Sequence, residues 1–198
     1  MTTTFRAPIR LAFALAGFAA LGGLAACGDL TRPKATFSNF TDTLVLYTLN
    51  GTPVDAPVGL YLSQGLAVQV NGSYNFDLAF DIDAQQKTTV YTVRAVAGGL
   101  STTHTVGLQR SQQGFDALGE APTTGFVTDS SFTANVGDTF AVVTTDLLSC
   151  GTSFFSNQLY AKVEILEINP GNRTVKTRFT VNPNCGYVSL APTGIPNR

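Results

Sequence analysis

The stretch LYAKVEILEINPGNRTVKTRFTVN, Leu159 to Asn182, alternates apolar and polar residues on both sides of a turn signal. Ala161, Val163 and Ile165 share one parity; Tyr160, Lys162 and Glu164 share the other. After Asn169-Pro170-Gly171-Asn172 the pattern resumes, with Val175, Thr177, Phe179 and Val181 opposite Thr174, Lys176, Arg178 and Thr180. Successive side chains of a strand point to opposite faces, so this period of two means one face for a core and one polar face. Two such runs about a Pro-Gly turn make a β-hairpin. Leu166 and Ile168 fall out of step with Ile165, which predicts a bulge or twist near Leu166 before the turn.

Cys150 precedes this hairpin and Cys185 follows it. With Cys27 assigned to a separate role, given below, these two are an even pair in an exported chain and read as one disulfide that ties the open ends of the hairpin together. It would close a loop of roughly 35 residues, which on the loop-entropy model stabilises the fold by about 4 kcal/mol. Metal binding is the rival use of these thiols. Two distant cysteines and the single histidine, His104, do not make the usual set of four ligands. Between Cys150 and the hairpin, GTSFFSNQ reads as a loop, and its Phe154 and Phe155 are the first candidates for an interaction surface. The alternative is that both rings fill a satellite core beneath the disulfide.

Away from the hairpin, Thr, Val, Phe, Tyr and Gly dominate and no stretch has helical spacing, which points to strands throughout. In YNFDLAFDID, Phe76, Leu78, Phe80 and Ile82 share one parity and Asn75, Asp77, Ala79, Asp81 and Asp83 the other, predicting one buried and one wet face. DAQQK then turns the chain into TVYTVRAVA, read as a further strand. Other strands are expected at about 35–49, 58–62, 66–70, 104–110, 125–134 and 139–145, with 112–124 as a longer loop containing Phe115, Leu118 and Pro122. The short spacing of turn signals predicts an all-β fold, an antiparallel β-sandwich, with an immunoglobulin-like arrangement as one form of it.

The N-terminus has a different pattern. Arg6 and Arg10 precede a run from Leu11 to Gly23 that is almost wholly apolar or small, the layout of a secretory signal and too short for a comfortable transmembrane helix. Its end, Leu24-Ala25-Ala26-Cys27, resembles the lipobox of bacterial lipoproteins. The resemblance covers only the first 27 residues. It implies cleavage before Cys27, a thioether-linked diacylglycerol and further acylation (palmitate) on that cysteine, and a membrane-anchored domain, since two or more acyl chains hold stably where one does not. Gly28 rather than an aspartate follows the cysteine, which in such lipoproteins favours the outer membrane where the cell has one. The expected organisation is a signal peptide over 1–26, a lipidated tether over 27–35 and a single sandwich domain over 36–198.

Composition narrows the function. Without Arg6 and Arg10, 10 Lys and Arg remain against 13 Asp and Glu, a net charge of -3 with no basic block, so nucleic acid is not an expected partner. There is no phosphate loop, no G-x-S-x-G elbow, no H-E-x-x-H and no Cys-x-x-Cys. His104, within STTHTVGL, reads as a structural or surface residue rather than a catalytic base. Tryptophan, the commonest platform for stacking sugars, is absent, although Tyr and Phe can substitute. Asp77, Asp81 and Asp83 could offer oxygen ligands to calcium but lack EF-hand spacing, and a solvated face and turn explain them more simply. Asn39, Asn71 and Asn172 head Asn-x-Ser/Thr triplets but read as turn and edge residues in a bacterial chain, and the Asn-Gly pairs at 50–51 and 71–72 as turns with positive φ.

The expected function is therefore a lipid-anchored, non-enzymatic binding or structural module of the cell envelope with an envelope protein as partner. No catalytic residue, cofactor or metal is assigned. The alternatives are an envelope hydrolase acting on glycans or peptides, which would need a pocket around His104, and a small-ligand or calcium carrier, which would need a deep cavity or converging carboxylates.

Overall fold

The hairpin forms where its alternation places it, and the rest of the domain is built around it. The computed structural model describes residues 34–98, 105–145, 150, 156–192 and 194–195, and Lys34–Arg198 make one compact unit. Strand β9, Gln158–Asn169, pairs antiparallel with β10, Thr174–Asn182. The register slips between Lys176, opposite Glu167, and Thr177, opposite Ile165, which leaves Leu166 as the extra residue of a bulge, as its broken parity predicts. Strand β1, Phe40–Tyr47, pairs with β10. On the other side β8, Thr139–Thr145, pairs with β9, and β6, Val106–Arg110, pairs with β8. This first sheet runs β1-β10-β9-β8-β6.

The second sheet holds β2, Gly59–Tyr61; β3, Leu66–Val68; β4, Leu78–Ile82; β5, Thr88–Thr92; and β7, Ser131–Ala134, in the order β3-β2-β4-β5-β7. All its pairings are antiparallel. The two sheets pack face to face as a sandwich. Leu46, Phe140, Val163, Ile165, Phe179 and Val181 of the first sheet share one core with Leu60, Leu78, Phe80, Ile82 and Val90 of the second. Each such side chain, fully buried, stabilises the fold by about 1.5–3 kcal/mol. Within the first sheet Phe40 of β1 meets Phe179 of β10 edge-on with ring centroids 6.4 Å apart, and between the sheets Phe132 of edge strand β7 meets Phe140 of β8 at 6.1 Å.

Three expectations fail locally. Residues 93–97 do not extend β5. The ladder with β4 ends at Leu78 opposite Thr92, with one last bond from Val93 N–H to Asp77 C=O at 3.1 Å, and Val93–Val96 then turn into a single helical turn, α1, closed by Ala97 N–H donating to Val93 C=O at 2.9 Å. The segment 125–134 is not one strand. Val127 bridges Leu108 on the first sheet, whereas Ser131–Ala134 join the second, so the chain crosses between sheets in its middle. Finally, β4 has no wet face along most of its length. It is a central strand, Ala79 and Asp77 are buried, and Phe76 folds over Gly59, where an added Cβ would lie 2.8 Å from the Phe76 Cβ.

The Cys150–Cys185 disulfide is formed, with Cα atoms 5.7 Å apart and the partners 35 positions apart in sequence. Beside it, three buried asparagines sew the chain ends together. Asn184 Oδ1 accepts from Thr36 N–H at 2.8 Å and Phe37 N–H at 2.9 Å. Asn39 and Asn182 each donate a side-chain N–H to Ser189 C=O, at 2.9 Å in both cases. Asn39 is thus a buried structural residue, while Asn71 Oδ1 caps a turn through Ser73 N–H and Asn172 sits in the hairpin turn. Gly51 has the expected positive φ of 74°, but in the 71–74 turn the positive φ falls on Tyr74, not on Gly72.

Candidate functional site: a roofed sheet face and its cleft

The outward face of the first sheet carries Tyr160, Lys162 and Glu164 from β9 and Arg178 from β10, the polar side of the hairpin. Over part of it the expected solvent is replaced by the loop between β6 and β7. Leu118 and Ala121 of that loop, with Leu190 of the C-terminal segment, pack on Ala141 and Tyr160 to form a second small core. The roof is held by its own ladder: Ala121 N–H donates to Val188 C=O, and Leu190 N–H to Gly119 C=O, both at 2.7 Å. At its far end Phe126 lies over Gly107, whose missing side chain makes the room. A Cβ there would lie 2.7 Å from that of Phe126.

Lys162 is the unexpected consequence. It is 1 % exposed, and its ammonium donates to the carbonyls of Phe115 at 2.7 Å and Leu118 at 2.9 Å. The third direction meets the Phe115 ring, 4.5 Å from Nζ to centroid. The Arg178 guanidinium lies over the same ring at 4.1 Å and is paired with Glu164 at 2.7 Å. Burial depresses the Lys162 pKa, and neighbouring Arg178 adds to this against the pull of Asp116 and Glu164. Alternation alone marks Lys162 as a surface residue. The signal available in the sequence was the loop itself, since Phe115 and Leu118 require a surface to be buried against.

Beside this staple, between the roof and β6, lies a cleft of about 420 Å³. Its polar lining comes from Gln109, Ser111, Gln112, Gln113 and Glu120, and its apolar floor from Leu118, Ala121, Pro122 and Ala141. Arg110 also reaches the cleft but is committed elsewhere: its guanidinium pairs with Asp138 and donates to Thr133 C=O. Burial works against the Asp138 carboxylate, yet Arg110 and Asn135 outweigh it and hold its pKa below the usual 3.8. Gln109 Oε1 is buried without a hydrogen-bond partner.

The three aspartates are separated by their tasks. Asp77 is buried and accepts Leu62 N–H at 2.7 Å. Asp81 accepts Asn50 Nδ2 at 2.6 Å and pairs with Arg173 at 3.1 Å. Asp83 caps its own turn through Gln85 and Lys87 N–H. Among the described residues no three His, Cys, Asp or Glu side chains group as a metal would need, and no helix is long and apolar enough to cross a membrane. Cys27, His104, Phe154 and Phe155 lie outside the described residues. The chain matches no family model, no curated protein and no solved structure.

Proposed function

We propose that the protein is a lipid-anchored module of a bacterial cell envelope that binds a ligand or partner and does no chemistry of its own. The anchor is Cys27, and its support is the signal-like segment that ends in Leu24-Ala25-Ala26-Cys27. The outer membrane is favoured where the cell has one. The observation that carries the binding role is the cleft beside β6. Its lining offers amides, a hydroxyl and a single carboxylate, while the charged groups next to it, Lys162, Arg110 and Asp138, are already engaged within the fold. Such a surface suits recognition by hydrogen bonds. Phe154 and Phe155 remain the candidates for contact with an envelope protein.

The finer, immunoglobulin-like form of the sandwich is supported by two antiparallel sheets sharing one core. The strand order weighs against it, because β8, β9 and β10 form a consecutive meander that the A-B-E-D and C-F-G sheets of a constant-type immunoglobulin domain lack.

Cys27→Ala should move the protein from the membrane fraction to the soluble one, and mass spectrometry of the mature wild-type N-terminus should find an acylated Cys27. An unmodified residue other than Cys27 at that terminus defeats the anchor. Wild-type protein should recover a partner by crosslinking in the envelope. Turnover of an envelope glycan or peptide that is lost in His104→Ala would instead establish the hydrolase.

A further inference from the structure

We infer that the cleft between the β6–β7 loop and the first sheet takes a neutral, hydroxyl-rich ligand, a short saccharide; this deepens the binding reading above and rests on it. Its volume, about 420 Å³, lies within the roughly 300–1,000 Å³ of small-molecule sites. Three carboxamides, Gln109, Gln112 and Gln113, line it together with Ser111. A carboxamide presents a donor and an acceptor side by side, the spacing that adjacent hydroxyls of a sugar ring satisfy in pairs. Gln109 Oε1 is enclosed within the fold, so the exposed carboxamides of Gln112 and Gln113, with Ser111, carry the contacts. An anionic ligand finds no free cation in the lining, since the Arg110 guanidinium is held by Asp138 and Thr133 C=O.

The floor complements this. Leu118, Ala121 and Ala141 are nearly buried and leave only a small apolar area towards the cleft, enough for the edge of a C–H face. With no aromatic side chain in the lining, hydrogen bonds carry the recognition and the affinity is expected to be weak. A peptide fits less well. Adding a strand at β6 would require free backbone groups, but Leu108 and Val127 already exchange both of their hydrogen bonds, at 2.9 and 3.0 Å. Hydrolysis of the sugar would ordinarily need two carboxyl groups flanking the bond, and the lining provides one, Glu120.

The test uses the full-length mature chain in a detergent without a sugar headgroup. Saturation-transfer NMR is recorded with cellobiose, maltose, N,N′-diacetylchitobiose and, as the peptide probe, trialanine. At least one saccharide should show transfer, falling about tenfold or more in Gln112→Ala/Gln113→Ala. Both positions are exposed, so the variant keeps the fold. Transfer to no saccharide overturns the inference. Transfer to trialanine alone also overturns it but leaves the binding module standing. Saccharide transfer unchanged in that variant removes the site from the cleft, and cleavage of a bound saccharide overturns the non-enzymatic reading itself.

Discussion

Lys162 shows how one residue can be assigned correctly to a face and wrongly to an environment. Its parity puts it opposite Ala161 and Val163, and it is there, but the β6–β7 loop closes over it. Replacing it by Met keeps much of the volume, removes the penalty of a buried charge and leaves the Phe115 and Leu118 carbonyls unpaired. The unpaired carbonyls should dominate, costing about 1–3 kcal/mol in denaturant unfolding near neutral pH. The pH dependence has a definite sign. The folded pKa is below the ordinary 10.5, so the unfolded chain holds the proton more tightly. Wild-type stability from this residue therefore rises as pH climbs from the folded value towards 10.5, and the gap to Lys162→Met should widen over that window. A gap that narrows would show the ammonium to be favoured by burial. Thr177 gives the opposite case. It is fully buried on the core side of β10, with Oγ1 lacking a partner, so Thr177→Val should raise stability by about 1 kcal/mol in the same assay.

At the scale of elements, the hairpin was legible because its pattern is local: alternation fixed both strands, broken parity fixed the bulge at Leu166, and Pro-Gly fixed the turn. What was not legible depends on distant chain. Nothing within residues 88–97 announces that β4 stops pairing at Thr92, and nothing within the hairpin announces the roof. The cleft was invisible for the same reason, since Gln112 and Gln113 belong to a segment that reads only as a loop. The hairpin tip carries a further long-range device. Arg173, at φ 55°, donates to Asn50 C=O and Ile82 C=O and pairs with Asp81, clamping the first sheet to the second. Arg173→Ala should cost about 1–3 kcal/mol, because two carbonyls and a carboxylate lose a shared partner. Deleting Leu166 should cost more than that, since removing the bulged residue shifts the tip by one and re-aims Arg173. Equal losses in the two variants, measured by chemical unfolding, would mean that the bulge does not position the clamp.

Across the whole molecule, the order in which the strands occur sets how it folds. The first sheet places β1 beside β10, so its first and last strands meet only when nearly all the chain is in place; Thr41 Oγ1 and Thr180 Oγ1, 139 residues apart, lie 2.7 Å from each other. Closing so long a loop costs entropy before any contact offsets it, whereas the β8-β9-β10 meander is local. The disulfide strengthens that asymmetry, because its 35-residue loop encloses the β9–β10 hairpin and leaves β1 outside. The meander should therefore be formed in the folding transition state and β1 should dock after it. Val163→Ala in β9 and Leu46→Ala in β1 both remove buried core groups, the leucine at about 2–5 kcal/mol. Stopped-flow chevrons should separate them: Val163→Ala slows folding with little change in unfolding, and Leu46→Ala accelerates unfolding with little change in folding. The reverse partition would make the β1–β10 closure the nucleus, and the meander would then be assembled on it.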